Sequence, residues 1–389
     1  MLHARHFALD PSVTFLNHGS FGAAPRAALA AQQALRDRME SQPVQFLARD
    51  LESLLDAARA AVGAFVGAPA DDLVFVPNAT HAVNAVLQSL TLSPGDEVVV
   101  TDHGYAACTN AARFAAERAG ARVVTARVPF PLRSAGAVVD AVTAALSPRT
   151  RLVLVDHVTS PTALVFPVED LVHVCQRVGV DVLVDGAHAP GMLPLGLRAL
   201  GAAFYTGNLH KWVCAPKGAA FLHVHPSQRH RVRPPVISHG AGSARTDRSR
   251  LSLEFNWTGT HDPTAVLAAP AAIDFMGSLL PGGWDALRAA NRALALEARG
   301  VLCDALGVAA PAPDDMVGAM VSLPLPPERF APTPARDPAF EDALQQRLWE
   351  RHRIEVPVMP WGGRALLRVS AQAYNHVEQY RGLARALAS

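Results

Sequence analysis

An amine and a carboxylate set 26 residues apart, Lys211 and Asp185, are the first candidates for chemistry. The 389-residue chain holds 35 basic side chains, of which only Lys211 and Lys217 are lysines and 33 are arginines. A bias toward Arg replaces Lys wherever charge alone is needed. It cannot do so where a free amine must act as a nucleophile, because guanidinium stays protonated. Composition alone fits equally well with two lysines that escaped the bias. Asp185 closes the apolar run VDVLVD and precedes Gly-Ala-His188. A carboxylate at the end of a buried strand is costly unless a cation or donors meet it. A helix N-cap or a structural ion pair would also account for it.

Lys211 lies in TGNLHKW, just after a second short apolar run, so amine and acid fall in neighbouring strand-end loops. Pyridoxal phosphate needs this pair. An amine forms its Schiff base, and an acid keeps its pyridine nitrogen protonated as an electron sink. A phosphate site should accompany them. VFVPNATHAVNAV reads as strand, turn and helix start, where the backbone N–H groups of Ala79, Thr80 and His81 favour an anion. By itself a Thr at a helix start is an ordinary cap. Together with Asp185 and Lys211, the phosphate reading is the better one. No comparable requirement singles out Lys217, which is read as incidental.

Several other functions are excluded. Neither lysine is followed by Ser or Thr, so there is no Walker A loop, and no Lys before residue 211 can serve as an early-strand kinase lysine. A formal net charge of +1 argues against nucleic-acid binding, and Arg229, Arg231 and Arg233 read as a solvated loop. The N-terminus lacks the apolar core of a signal peptide, and no run reaches membrane-spanning length. A cytoplasmic location without membrane contact is therefore expected. Cys108, Cys175, Cys214 and Cys303 show no CxxC spacing, and the 16 histidines include no HExxH, so neither a disulfide framework nor a metal is expected.

Half the residues are hydrophobic, enough for a large core. Helical spacing predicts helices over about 24–39 and 47–66. Short apolar runs at 73–76, 97–101, 121–125, 152–156, 180–185, 202–206 and 219–224 read as strands, with helices at 80–90, 106–118 and 168–178 between several of them. This alternation predicts an α/β fold with a mainly parallel sheet covered by helices, its ligand beyond the carboxyl ends of the strands. From about residue 277 the texture becomes richer in Pro and Gly. Helices near 284–306 and 340–351, strands near 317–323, 353–358 and 366–369, and a last helix read as a smaller α+β domain. The expected division is an N-terminal segment and helix at 1–46, a large domain at 47–276 and a small C-terminal domain at 277–389.

The stretches FLNHGSFG, QPVQFLARD, FVPNATHAVNAV, DHVTSPTALVFPV, VDGAHAPG, YTGNLHKW, FNWTGTHDP and LLRVSAQAYN run in one order from about residue 14 to 376. In this the chain resembles the class V aminotransferase family of fold-type I pyridoxal-phosphate enzymes, in its isopenicillin N epimerase-like branch. The Asp-Gly-Ala-His and His-Lys-Trp elements with their spacing are the specific part. The resemblance implies that Lys211 carries the cofactor as a Schiff base and that Asp185 pairs its pyridine nitrogen. It places His188 near the phenolic oxygen, with Ser160 beside it. Tyr105 would stack on the ring, and Asn208 and His210 would join Ala79, Thr80 and His81 on the phosphate. Thr260 resembles a residue that reaches a neighbouring subunit's phosphate, which implies a homodimer with shared sites. Arg368 would clasp the α-carboxylate of an amino-acid substrate, with Asn17 and His18 also on the substrate side.

Two departures bear on the reaction. Desulfurases of this family carry a reactive Cys shortly before the carboxylate-binding Arg, whereas VPVMPWGGRALLR here has none. Their frequent Asn beside the cofactor oxygen is Ser160. The resemblance implies an enzyme acting at the α-carbon of an amino acid, epimerase-like, with Tyr105 or His18 as a second acid. A C–S lyase on an S-substituted cysteine is the alternative, transamination is a further outcome, and a non-catalytic pyridoxal-phosphate-binding module is the reading from another class.

Overall fold

The computed structural model describes residues 3–330 and 342–388. Among these the strands are β1 Thr14–Phe15, β2 Leu73–Val76, β3 Glu97–Thr101, β4 Arg122–Ala126, β5 Thr150–Asp156, β6 Asp181–Asp185, β7 Phe204–Asn208, β8 Ala220–Val224, β9 Met320–Pro324, β10 Ile354–Glu355, β11 Val358–Trp361 and β12 Arg364–Ser370. Seven form one sheet in the order β2-β8-β7-β6-β5-β3-β4. From β4 through β7 all pairings are parallel, while β8 runs antiparallel to both β7 and β2. Helices Ala106–Arg118, Gly136–Ala145 and Val168–Arg177 return the chain between successive parallel strands. The link from β7 to β8 contains no helix, and so short a link permits only an antiparallel return.

Both faces of this sheet are buried, as its continuous apolar strands require. Leu152, Leu154, Leu183 and Phe204 face one cluster, under Ala79–Ser89 and Ala106–Arg118. Val153, Val155, Val182, Val184 and Tyr205 face the opposite cluster, with Leu55 and Val62 of Leu51–Val66 and Leu171 of Val168–Arg177. The period of two therefore decides which side of the sheet each polar residue at a strand end must occupy.

The second expected helix begins at Leu51, and the preceding Gln45–Asp50 forms a π-helical turn. The three-stranded antiparallel sheet β11-β12-β9 packs around a separate apolar cluster that includes Leu302, Leu323, Leu367 and Tyr380. The helix expected from 340 is Ala343–His352, and residue 340 lies outside the described residues. The N-terminal segment crosses to this part of the chain, since β1 pairs in parallel with β10. No helix among the described residues is long and apolar enough to cross a membrane.

Leu183 is fully buried two residues before Asp185. Leu183→Ala is expected to cost about 2–5 kcal/mol of unfolding free energy, the range for a large-to-small change in a packed core. Urea denaturation of the cofactor-free protein measures it.

Candidate active site

Strand parity places Asp156 on the face of Leu154, Asp185 on that of Leu183 and Asn208 on that of Phe204, all at carboxyl ends. Asp156 and Asp185 are register partners on adjacent strands, and both are buried. Asp185 accepts from the Cys108 thiol at 3.1 Å and from the Ala187 N–H at 3.0 Å. Asp156 accepts from the backbone N–H groups of Tyr105 and Ser160. Burial pushes the Asp185 carboxyl up, and burial together with the charge of Asp185 pushes Asp156 well above the usual carboxylate range. The Lys211 charge opposes both shifts without cancelling them.

Lys211 sits in the link between β7 and β8. Its carbonyl accepts from the Cys214 N–H at 3.0 Å, and the loop is closed by Ala215 N–H to Leu209 O at 3.0 Å and Leu209 N–H to Ala219 O at 2.9 Å. Cys214 holds a left-handed backbone, φ 62°, to make this turn. Lys211 Nζ lies 3.2 Å from His188 Nε2, while His188 Nδ1 accepts from the Trp212 indole at 3.4 Å. A neutral His188 accepting at Nδ1 carries its proton on Nε2, and Lys211 Nζ accepts from it only in its unprotonated form. Burial and the Lys211 charge hold His188 well below its ordinary pKa, and burial followed by the Arg368 charge lowers Lys211 to about 8.

Arg368 lies on β12 and is 3% exposed. Its Nη1 donates to Ser160 O at 2.6 Å and Ser160 Oγ at 3.2 Å, and its Nη2 donates to Ser20 Oγ at 3.1 Å. Nε is buried without a partner, and no carboxylate among the described residues pairs with the guanidinium. A buried fork with an unused N–H suits a two-point carboxylate contact. Ser160, expected beside the cofactor, thus holds Arg368. Tyr105, 45% exposed, stands at the start of helix Ala106–Arg118 and feels the charges of Asp185 and Arg368. This is not the environment of a core tyrosine.

His18, expected on the substrate side, is wholly buried. Its Nε2–H donates to Lys211 O at 3.0 Å, and its Nδ1 accepts from Tyr374 Oη at 2.7 Å. Burial holds its pKa at about 3. These contacts brace the lysine backbone. Asn17 is likewise engaged, donating to Glu355 Oε1 at 3.1 Å and accepting from Ser20 Oγ at 2.6 Å. Gly22 ends this turn at φ 72°, where a Cβ would run into the His210 carbonyl oxygen and crowd Lys211 Cα at 3.0 Å. Lys217 donates to Gly22 O at 2.9 Å. The lysine read as incidental ties the N-terminal turn against the backbone of the other.

At the opposite end, Asn78 caps helix Ala79–Ser89 by accepting from the His81 N–H at 2.8 Å, and Asn208 Oδ1 accepts from the Ala79 N–H at 2.9 Å. Two of the three expected phosphate donors are thus satisfied within the protein, and an anion there meets Thr80 first. His210 donates from Nδ1 to Ala219 O at 2.9 Å, and burial lowers its pKa to about 4. His81, Lys217 and Thr260 line one cavity of about 410 Å3. Asp156, Cys108, Ser20 and Asn78 went unassigned in the sequence. Only Asp156 carried a readable signal, since LVLVD repeats the apolar-run-plus-Asp pattern of VDVLVD.

These residues fit pyridoxal phosphate: an amine lowered to about 8, a buried carboxyl, a polar helix start and a buried guanidinium with an unused donor. Comparison with known proteins agrees. The aminotransferase class-V family model matches residues 22–325. An isopenicillin N epimerase of Amycolatopsis lactamdurans is 39% identical, over 98% of this chain and 96% of its own. A probable chloroplastic L-cysteine desulfhydrase of Arabidopsis thaliana is 32% identical, over 97% and 83%. Among solved structures, the cystine C–S lyase C-DES in complex with cysteine persulfide superposes with a TM-score of 0.79 at 23% identity, over 97% and 98%. That likeness carries the fold. The chain belongs to the class V aminotransferase family, whose members are pyridoxal-phosphate enzymes of fold type I.

Proposed function

We propose that this enzyme acts at the α-carbon of an amino-acid substrate and that its reaction is epimerisation. The observation that carries this reading is Arg368, a buried guanidinium with one unused N–H, whose charge adds to burial in lowering the Lys211 pKa. Bound pyridoxal phosphate supplies an electron sink for the α-carbon. Lys211 would hold the cofactor and would take the α-proton at Nζ. Asp185 would keep the pyridine nitrogen protonated through a charge-assisted hydrogen bond, with His188 near the phenolic oxygen. Arg368 would fix the substrate carboxylate, and Tyr105 would pack on the ring and serve as the acid on the opposite face.

A C–S lyase reaction is the second reading. The engagement of both His18 nitrogens favours it, because β-elimination needs only Lys211 as base. Transfer of sulfur to a protein cysteine is disfavoured. The hairpin before Arg368 has no Cys, and Cys108, Cys175 and Cys214 are buried. We further propose the division 1–46, 47–276 and 277–389, and a homodimer in which Thr260 reaches the partner's phosphate. Light scattering of the holoenzyme tests the dimer, and a monomer of full activity would refute it.

Borohydride treatment of the holoenzyme should fix the cofactor on Lys211, as read by peptide mass spectrometry. An adduct on Lys217 would overturn the assignment. In cofactor-free protein the rate of pyridoxal-phosphate attachment should follow the free amine, rising through pH about 8 and levelling above it. Arg368→Met removes a charge that lowers the lysine pKa, so it should move this midpoint upward.

Asp185→Asn should retain cofactor but lower turnover by about a hundredfold or more, the scale of losing one charge-stabilising group. Incubation with a panel of L-amino acids in D2O separates the reactions. α-Deuteration with inversion identifies an epimerase, pyruvate from S-substituted cysteines identifies a lyase, and no exchange with any member refutes catalysis at the α-carbon.

A further inference from the structure

The hairpin β11–β12 carries Arg368, and its tip reaches across to the large sheet. Cross-strand register pairs Trp361 with Arg364 and Met359 with Leu366. Trp361 therefore shares one face of the hairpin with Arg364, Leu366 and Arg368. Gly362 and Gly363, at φ 56° and 76°, form the two-residue turn between the strands. Both positive values match the twist of the tightest hairpin class, so this turn is short and stiff.

The Trp361 indole N–H donates to Asp102 O at 3.0 Å. Its ring meets His103 edge-on at 4.6 Å and Phe130 at 5.4 Å. His103 is fully buried and bonds through Nδ1 to Thr162 Oγ1 at 2.7 Å and through Nε2 to Val128 O at 3.0 Å. Thr162 stands two residues after Ser160, which receives Arg368 Nη1. Asp102 and His103 lead directly into Tyr105. One indole thus closes a ring of contacts joining the Arg368 hairpin, the Tyr105 loop and the Ser160 loop.

We propose that Trp361 is a positioning residue: by latching the β11–β12 hairpin to Asp102 and His103, it holds the Arg368 fork in register with the Tyr105 and Ser160 loops for the substrate carboxylate. This rests on the reading of Arg368 as the carboxylate site. The latch acts on recognition of the carboxylate and leaves cofactor attachment alone.

The test compares L-alanine with ethylamine, its counterpart lacking the carboxylate, by titrating the visible absorbance of the holoenzyme. Trp361→Ala should weaken L-alanine binding about tenfold, as when the competent arrangement falls to about a tenth of the population. Ethylamine affinity and cofactor content should hold. Trp361→Phe keeps the ring contacts and loses only the donor, so its effect should be smaller in the same direction. Unchanged L-alanine affinity in Trp361→Ala, or equal weakening of both ligands, overturns the proposal. Should Trp361→Ala not fold, Trp361→Phe decides alone, and unchanged affinity for L-alanine refutes the latch. Arg368→Met separates the two ideas: if it binds L-alanine like the parent enzyme, the carboxylate assignment itself fails.

Discussion

Two carboxyls buried side by side impose the main constraint on this molecule. Asp156 and Asp185 end adjacent parallel strands on the same face, where water is excluded and their like charges oppose ionisation. Such an arrangement is tolerable only where donors and cations converge on it. The rest of the site supplies them from different elements: a thiol from Cys108, backbone N–H groups from the loops at Tyr105, Ser160 and Ala187, and charge from Lys211. Arg368 in turn repels Lys211, and this repulsion adds to burial in lowering the amine toward neutrality. A lowered amine and a buried guanidinium thus share one electrostatic arrangement.

The segments that complete the site lie far apart in the chain. Residues 17–22 lie between the two halves, with His18 on the Lys211 carbonyl, Ser20 on Arg368 and Gly22 pressed against the lysine loop. The parallel pairing of β1 with β10 anchors this segment to the same part of the chain that bears Arg368. A displacement of the small sheet is therefore felt at the lysine backbone, because one short turn touches both.

Much of this was legible in the sequence, and the exceptions have physical causes. Strands that are apolar throughout and helices with regular spacing are local signals, and they gave the sheet and its connections. The strand-end positions of Asp185 and Lys211 are legible because each follows an apolar run that forms β6 or β7. The bracing role of His18 leaves no local signal, because Tyr374 and the Lys211 carbonyl lie 356 and 193 residues away. Lys217 looked incidental for the same reason: its partner is a main-chain oxygen, which leaves no trace in side-chain identity. The cap at Ala79–Ser89 is supplied by Asn78 rather than Thr80, because the side chain one residue before the first helical turn is the one that reaches the His81 N–H.

The helix-free connection between β7 and β8 has a mechanical consequence. Its two ends are fixed in adjacent hydrogen-bonded strands, and the turn between them is closed by its own backbone bonds and braced by His18. Lys211 is therefore a jointed arm on an immobile pivot. Any travel of its nitrogen between one bonding partner and the next must come from rotation about its own side-chain bonds. Such motions belong to the picosecond-to-nanosecond range of rotamer hops rather than to the slower range of loop movement.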